Sequence, residues 1–261
     1  MQCVLNTKNK LHSLQLKQLR LFYQPIVSLD ALGILGWEAL LRWEHPKRGL
    51  LLPRDFIPDA ELSGDIVSAG EWAITEACHR LKHWQTEMAS AKNWFVSVNL
   101  APMQIEQSSL SNHVQEVLAT SRLAPKHLKL EVTESNAIDT QFAKKQLQEL
   151  RSLGIQICLD DFGKGYSALN YLCQLPLDIL KLDRHFLWHI RGQEAKTWQV
   201  IKSVLGLARG LHLSTVVEGV ETREQLETLR RINCPAAQGY FFSRPLPEEA
   251  VPDFRIQPLA A

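Results

Sequence analysis

Short apolar runs alternate with amphipathic stretches along most of this chain, and few folds accommodate that order. The runs at 94–100, 128–133, 156–159, 179–182, 213–217 and 238–242 are too short for helices and read as buried strands. Between them, 110–119, 141–153, 195–210 and 223–232 repeat apolar residues at three- and four-residue spacing, as helices covering a sheet do. Parallel strands need a crossover between them, so strand-helix alternation predicts a parallel sheet. This many units fit a closed TIM-type (β/α)8 barrel better than an open doubly wound sheet.

The beginning of the chain departs from that pattern. The apolar stretches 21–28 and 33–43 flank Leu29-Asp30-Ala31-Leu32, whose Asp30 and following Gly33 suit a turn. A β-hairpin there makes the fold a barrel variant with one antiparallel strand. After Pro46 and Pro53, a helical stretch reaches about Trp84, with Ile66, Ala69, Trp72, Ala73, Ala77 and Leu81 at helical spacing. A chain of 261 residues suits one such barrel, and no Pro/Gly/Ser-rich linker divides it. The expected organisation is a short extension at 1–19, one domain at 20–252 and a tail at 253–261.

Composition narrows the function. A formal net charge of +1 with 22% charged residues does not favour binding a nucleic-acid polymer through bulk electrostatics. The five cysteines are odd in number and include no C-x-x-C pair, which argues for reduced, mostly buried thiols over a disulfide framework or zinc site. No run approaches the roughly 20 apolar residues of a membrane span, and 1–10 lacks a secretory pattern, so a cytoplasmic location is the default expectation.

The polar residues in the runs carry the chemistry. Glu38, Asn99, Glu131, Asp160, Asp161, Glu218 and Gln238, with Lys181 among them, lie within or at the ends of apolar runs. A carboxylate buried in such a run is costly unless it is paired or bound to a metal, so their recurrence points to one shared site. Barrel active sites lie where the carboxyl ends of the strands open, and all but Glu38 fall at such ends. Glu38 lies inside its run, and alternation must turn it inward.

Each residue also has a plainer reading. Asp160-Asp161 can serve two metal ions or cap a helix, and Lys181 can act on a water or phosphoryl oxygen or pair with Asp178 or Asp183. Glu38 and Arg42, four apart on one strand face, are a metal ligand and a phosphate fork or a buried ion pair. Asn99 is a ligand or a turn residue; Thr133 and Glu134 can cap a helix, and Glu221 and Thr222 can start one. Gly163-Lys164-Gly165-Tyr166-Ser167-Ala168 formally fits a dinucleotide fingerprint with Asp183 downstream, but two carboxylates precede its glycines and would repel a pyrophosphate. His79/His83 and His185/His189 lack the intervening glutamate of a zinc helix and read as exposed helix faces.

With these residues assembled, the chain resembles the EAL family of cyclic di-GMP phosphodiesterases. The hallmark stands as Glu38-Ala39-Leu40-Leu41-Arg42, after Phe22-Tyr23-Gln24-Pro25-Ile26-Val27. Matching segments continue through Ser97-Val98-Asn99-Leu100, Glu131-Val132-Thr133-Glu134-Ser135 and Asp160-Asp161-Phe162-Gly163-Lys164-Gly165-Tyr166-Ser167. Lys181-Leu182-Asp183, Glu218-Gly219-Val220-Glu221 and Gln238-Gly239-Tyr240 complete them.

The resemblance implies cyclic di-GMP laid across the mouth of the barrel and hydrolysed at one phosphodiester to linear pGpG. It implies two Mg²⁺ or Mn²⁺ ions, one held by Glu38, Asn99, Glu131 and Asp160, the other by Asp160, Asp161 and Glu218, unless Glu218 acts mainly as base. Two such ions about 3.5–4 Å apart acidify a shared water and clamp the phosphoryl oxygens. Glu38, Lys181 and Glu218 are then the catalytic residues. Arg42 meets a phosphate, Gln24 and Leu40 line the cleft, and Asp161 and Gln238 face the substrate. The loop with Phe162, Gly163 and Gly165, braced by Glu134, would couple a homodimer to metal binding.

Two departures from the family pattern stand out. His185 replaces a small hydroxyl residue, and Asn233, Pro235 and Ala236 alter the approach to Gln238, which would shift that residue and lower activity. The rivals are a cyclic di-GMP receptor or protein-interaction module without turnover and, on the decoy glycines alone, a nucleotide-dependent oxidoreductase. Control is expected from expression, dimerisation, metal supply or a regulatory partner, or from an upstream regulator if the chain is a fragment.

Overall fold

A computed structural model describes residues 14–133, 141–164, 168–188 and 194–256. Strand β1 (Leu19–Ser28) turns back into β2 (Ile34–His45), and β3 (Gly49–Leu51) adds a short antiparallel edge to β2. The strands that follow are β4 (Phe95–Asn99), β5 (Leu128–Thr133), β6 (Gln156–Phe162), β7 (Ile179–Leu182), β8 (Ser214–Val217), β9 (Ala236–Ala237) and β10 (Leu246–Pro247). β2 pairs in parallel with β4, and parallel pairing continues strand by strand to β9. β9 then meets β1 antiparallel, with Val27 opposite Ala237, which closes an eight-stranded barrel. β1 is its antiparallel member, as the opening hairpin predicts.

The helices are α1 (Ile57–Ser63), α2 (Asp65–Glu87), α3 (Pro102–Ile105), α4 (Leu110–Ser121), α5 (Gln141–Ser152), α6 (Ala168–Gln174), α7 (His185–Trp188), α8 (Glu194–Gly210) and α9 (Arg223–Arg231). Gly64, at φ +83°, ends α1 in a left-handed cap, so the helical stretch before Trp84 is two helices. α2 buries Ile66, Ala69, Ala73, Ala77 and Leu81, while Trp72 is half-buried at the edge of the stripe. Trp84 of α2 meets Tyr23 edge-on, and Trp37 meets Trp94 and Phe254 in the same manner.

The barrel interior is layered by strand alternation. Ile26, Cys158, Ile179, Val216 and Ala236 form one apolar cluster with Phe95 against it. Cys158, Ile179, Val216 and Ala236 stand two residues before Asp160, Lys181, Glu218 and Gln238, so each shares its strand face with a polar residue nearer the carboxyl end. In β1, which runs the other way, Gln24 precedes Ile26. Apolar plug and polar mouth therefore follow from one alternation read along the strands.

One boundary differs from the expectation. The last barrel strand is Ala236–Ala237, whereas 238–242 turns away. Val220 N donates to the Gln238 carbonyl at 3.1 Å, Phe241 N donates to the Val220 carbonyl at 2.9 Å, and Phe242 N donates to Gly239 O at 3.1 Å. These bonds pull the chain off the sheet edge and into a loop. Cys78, Cys158 and Cys234 are buried free thiols and Cys173 is exposed. No helix of the described residues is long and apolar enough to cross a membrane.

Gly239 lies so close to Val220 that a Cβ would meet its carbonyl oxygen at 2.1 Å, whereas a Cβ at Gly206 of α8 has nothing within 4 Å. Gly239→Ala is expected to lower the unfolding free energy by about 1–3 kcal/mol through overpacking. Gly206→Ala should raise it by up to about 1 kcal/mol, as a helix interior prefers Ala. Urea unfolding of both variants checks the pair.

Candidate active site

Lys181 organises the mouth of the barrel. It is 1% exposed on β7, and its Nζ lies 2.7 Å from Glu218, 2.9 Å from Glu131, 3.3 Å from Asp160 and 3.5 Å from Glu38. Four strands or strand ends thus converge on one ammonium. The expected alternative partners are engaged elsewhere: Asp178 bonds Arg151 and the Ile157 amide, and Asp183 pairs with Lys164.

Amides and a hydroxyl hold the carboxylates in place. Ser97 donates to Glu131 from the neighbouring strand. Glu38 accepts from Asn99 Nδ2 at 3.1 Å and from Gln238 Nε2 at 2.6 Å. Gln238 also donates to Gln24 Oε1 at 2.9 Å, and Gln24 donates to the Ser243 carbonyl at 3.0 Å. The departure at Asn233, Pro235 and Ala236 therefore leaves Gln238 seated beside Glu38, with the Pro235 carbonyl accepting from Leu29 N at 3.0 Å.

A cavity of about 230 Å³ opens above this ring, lined by Gln24, Glu38, Leu40, Asp160, Asp161, Glu218 and Gln238 with Arg184 and Tyr240 at its mouth. A second cavity of about 500 Å³ shares Glu38, Leu40 and Asp161 with it and runs past Asn99, Pro53, Ile57 and Ile66. Arg42 lines neither: it is buried, donates to the Leu41 carbonyl at 2.8 Å and lies 5.5 Å from the centre of the Phe22 ring. Glu38 and Arg42 form no ion pair within 4.0 Å, so the buried-pair reading of that spacing fails.

Asp160 and Asp161 diverge because β6 slips register against β7 between Leu159 and Phe162. Asp161 takes a left-handed φ of +58° and its amide donates to Asp160 Oδ1 at 2.8 Å. Asp160 therefore faces Lys181, while Asp161 reaches Lys164 in the mouth. Phe162 is buried, and Gly163, at φ +103°, lies against Phe186, where a Cβ would approach the ring at 2.3 Å. Glu134 and Gly165 lie outside the described residues.

The EAL domain family matches residues 8–245. The chain belongs to that family. Over 238 residues it is 41% identical to the bifunctional diguanylate cyclase/cyclic di-GMP phosphodiesterase MucR of Pseudomonas aeruginosa, and over 238 residues 40% identical to the cyclic di-GMP phosphodiesterase NbdA of the same organism. Each match covers 91% of this chain but only 34% and 30% of those proteins, so the chain spans about a third of their length. A solved PaMucR phosphodiesterase in complex with c-di-GMP superposes with a TM-score of 0.83 at 41% identity, covering 90% of this chain and 94% of that one. The EAL enzyme Bd1971, in its cAMP- and cyclic-di-GMP-bound form, gives a TM-score of 0.85 at 35% identity over 90% of this chain and 64% of that one.

EAL domains are generally metal-dependent, and the donors of this one fit a hard cation. They are oxygens, the hard ligands that Mg²⁺ and Mn²⁺ take. Carboxylate oxygens of Asp160, Asp161 and Glu218 lie within 4.8 Å of one another. Beside them, Glu38, Glu131 and Asp160 face the Lys181 ammonium, and Asn99 bonds Glu38 from the neighbouring strand. One ammonium opposes four carboxylates in this ring, which leaves negative charge for a cation to balance.

The electrostatics of the EAL site reflect the same imbalance. Burial, only partly opposed by Lys181, pushes Glu131 up to about 8, raises Asp160, and raises Glu218 well above its ordinary value. Burial acts on Glu38 too, but Lys181 and the bonds from Gln238 and Asn99 bring it below its usual value. Lys181 is raised well above a free lysine, its desolvation outweighed by Asp160, Glu131, Glu218 and Glu38. Asp183 would rise on burial, but bonds from the His185 amide and Lys164 hold it at about 2.

Several residues of the site escape a sequence reading. Ser97 stands two before Asn99 on the same face, a spacing that signals its inward direction but not its bond to Glu131. Arg184 and Tyr240 reach the mouth from loops, where no periodicity exists to place them. Glu221 lines the mouth, while Thr222 is the N-cap of α9 and accepts from Gln225 N at 3.2 Å, as the helix-start reading of that pair expects.

A carboxyl raised from 4.5 to about 8 on folding binds a proton that the unfolded chain releases. Its contribution is complete below the unfolded value and is lost as pH climbs through the folded one. In EDTA, the melting temperature is expected to fall between pH 5 and 8, with a shallower slope in Glu131→Gln. Lys129, depressed to about 8 by burial, acts in the opposite sense only above that pH. Calorimetric scans across the range check the sign.

Proposed function

We propose that this EAL domain hydrolyses one phosphodiester of cyclic di-GMP to linear pGpG with two Mg²⁺ or Mn²⁺ ions. The observation that carries the reading is the ring of Glu38, Glu131, Asp160 and Glu218 around Lys181 beneath an open cavity. The names of MucR and NbdA and the c-di-GMP complex of PaMucR support the substrate.

Glu38, Asn99, Glu131 and Asp160 would hold one ion, and Asp160, Asp161 and Glu218 the other. When bound, the ions would acidify the attacking water and neutralise charge developing on the phosphoryl oxygens. Gln238 and Asn99 fix the Glu38 carboxylate by two hydrogen bonds, so its lone pairs point one way. Lys181, 2.7 Å from Glu218, opposes the burial that favours the neutral form of that carboxyl, and it supplies a positive field to the developing oxyanion. Glu218, 17% exposed at the mouth, is the group placed to accept a proton from the water. Gln24 and Leu40 form the wall against which the ligand lies. Arg42, over the Phe22 ring, would contact a substrate phosphate. The extension at 1–19, the domain at 20–252, the tail at 253–261 and a cytoplasmic homodimer remain part of this proposal.

Purified protein incubated with cyclic di-GMP and Mn²⁺ should release pGpG, followed by chromatography. EDTA should abolish release, and Glu38→Ala should cut turnover by about 10²-fold or more, as loss of a transition-state-stabilising group does. Tight binding of cyclic di-GMP without turnover in either metal would replace the enzyme by the receptor reading.

Lys181→Met leaves the facing carboxylates without their cation and should cost about 3–5 kcal/mol of stability in EDTA. Urea unfolding measures the loss, and added Mn²⁺ should recover part of it.

A further inference from the structure

The mouth contains a second lysine, and its position bears on how the site loads. Lys164 N donates to the Asp161 carbonyl at 3.2 Å, closing a turn made possible by the left-handed Asp161 and Gly163. That turn folds the Lys164 side chain back over the residue that begins it. Its Nζ lies 2.5 Å from Asp161 Oδ1 and 3.0 Å from Asp183 Oδ2. Asp183 is 2% exposed and also accepts from the His185 amide at 2.8 Å, so it cannot swing away, whereas Lys164 is 38% exposed on a longer stem. Lys164 thus spans a carboxylate inside the proposed metal position and one outside it.

We infer that Lys164 is a built-in monovalent competitor for the divalent ion at Asp160, Asp161 and Glu218, with Asp183 as the seat to which its ammonium withdraws. The inference rests on the two-metal reading above. An ammonium on Asp161 occupies an oxygen the ion needs, and its charge repels a divalent cation placed a few ångströms away. When the ion takes Asp161, Lys164 keeps its bond to Asp183, and the ammonium is never stranded. Lys164 thereby sets the metal concentration at which the second position fills. It acts through Asp161, as a positioning residue.

Manganese binding to the full chain, measured by titration calorimetry at low salt, tests the inference on wild type, Lys164→Ala and Lys164→Arg. The weaker of two Mn²⁺ events is expected to tighten by about tenfold or more in Lys164→Ala and to stay near wild type in Lys164→Arg. The rise in melting temperature on adding Mn²⁺ should also be larger for Lys164→Ala. A merely structural role would weaken metal binding instead. Two ions bound with unchanged or weaker affinity in Lys164→Ala overturn the competitor and leave the metal centre standing. No Mn²⁺ on either protein overturns both.

Discussion

A fully buried ammonium is costly unless carboxylates meet it, and Lys181 is met by Glu38, Glu131, Asp160 and Glu218. The strands supply these residues because alternation points every second side chain inward. Below Asp160, Lys181, Glu218 and Gln238 the same face carries Cys158, Ile179, Val216 and Ala236, which with Ile26 plug the barrel. The plug keeps water on one side of the ring. The site is consequently a rim of charge on a packed floor, open only toward its ligand.

The balance of charge explains why the rim suits a cation. Lys181 can donate three hydrogen bonds, and four carboxylates compete for them. Burial then disfavours the charged forms of Glu131, Asp160 and Glu218, a cost that divalent ions would remove. Around the rim, Ser97, Asn99 and Gln238 direct the carboxylates without adding charge. Lys164 stands just outside, bridging Asp161 to Asp183.

Much of this was legible in the residues themselves. The closed barrel and its antiparallel β1 follow from strand-helix alternation after a hairpin, and the convergence of Glu38, Glu131, Asp160, Lys181 and Glu218 follows from buried charge needing partners. What sequence could not give was set by backbone events without a periodic signature. The last strand stops at Ala237 because Gly239 docks on Val220, a contact between distant loops. The slip in β6 that parts Asp160 from Asp161 is a register change, invisible in composition. Arg42 shares the face of Glu38, as its spacing predicts, yet its guanidinium lies over Phe22 on that face and forms no ion pair with Glu38, because rotamer and packing decide where a long side chain ends.

The central claim is that this ring is a two-ion centre. Anomalous diffraction from crystals soaked in Mn²⁺ tests it most directly. Two peaks are expected, one among Glu38, Asn99, Glu131 and Asp160 and one among Asp160, Asp161 and Glu218. Absence of any peak at the ring, with Lys181 still bound to all its carboxylates under saturating Mn²⁺, would contradict the account.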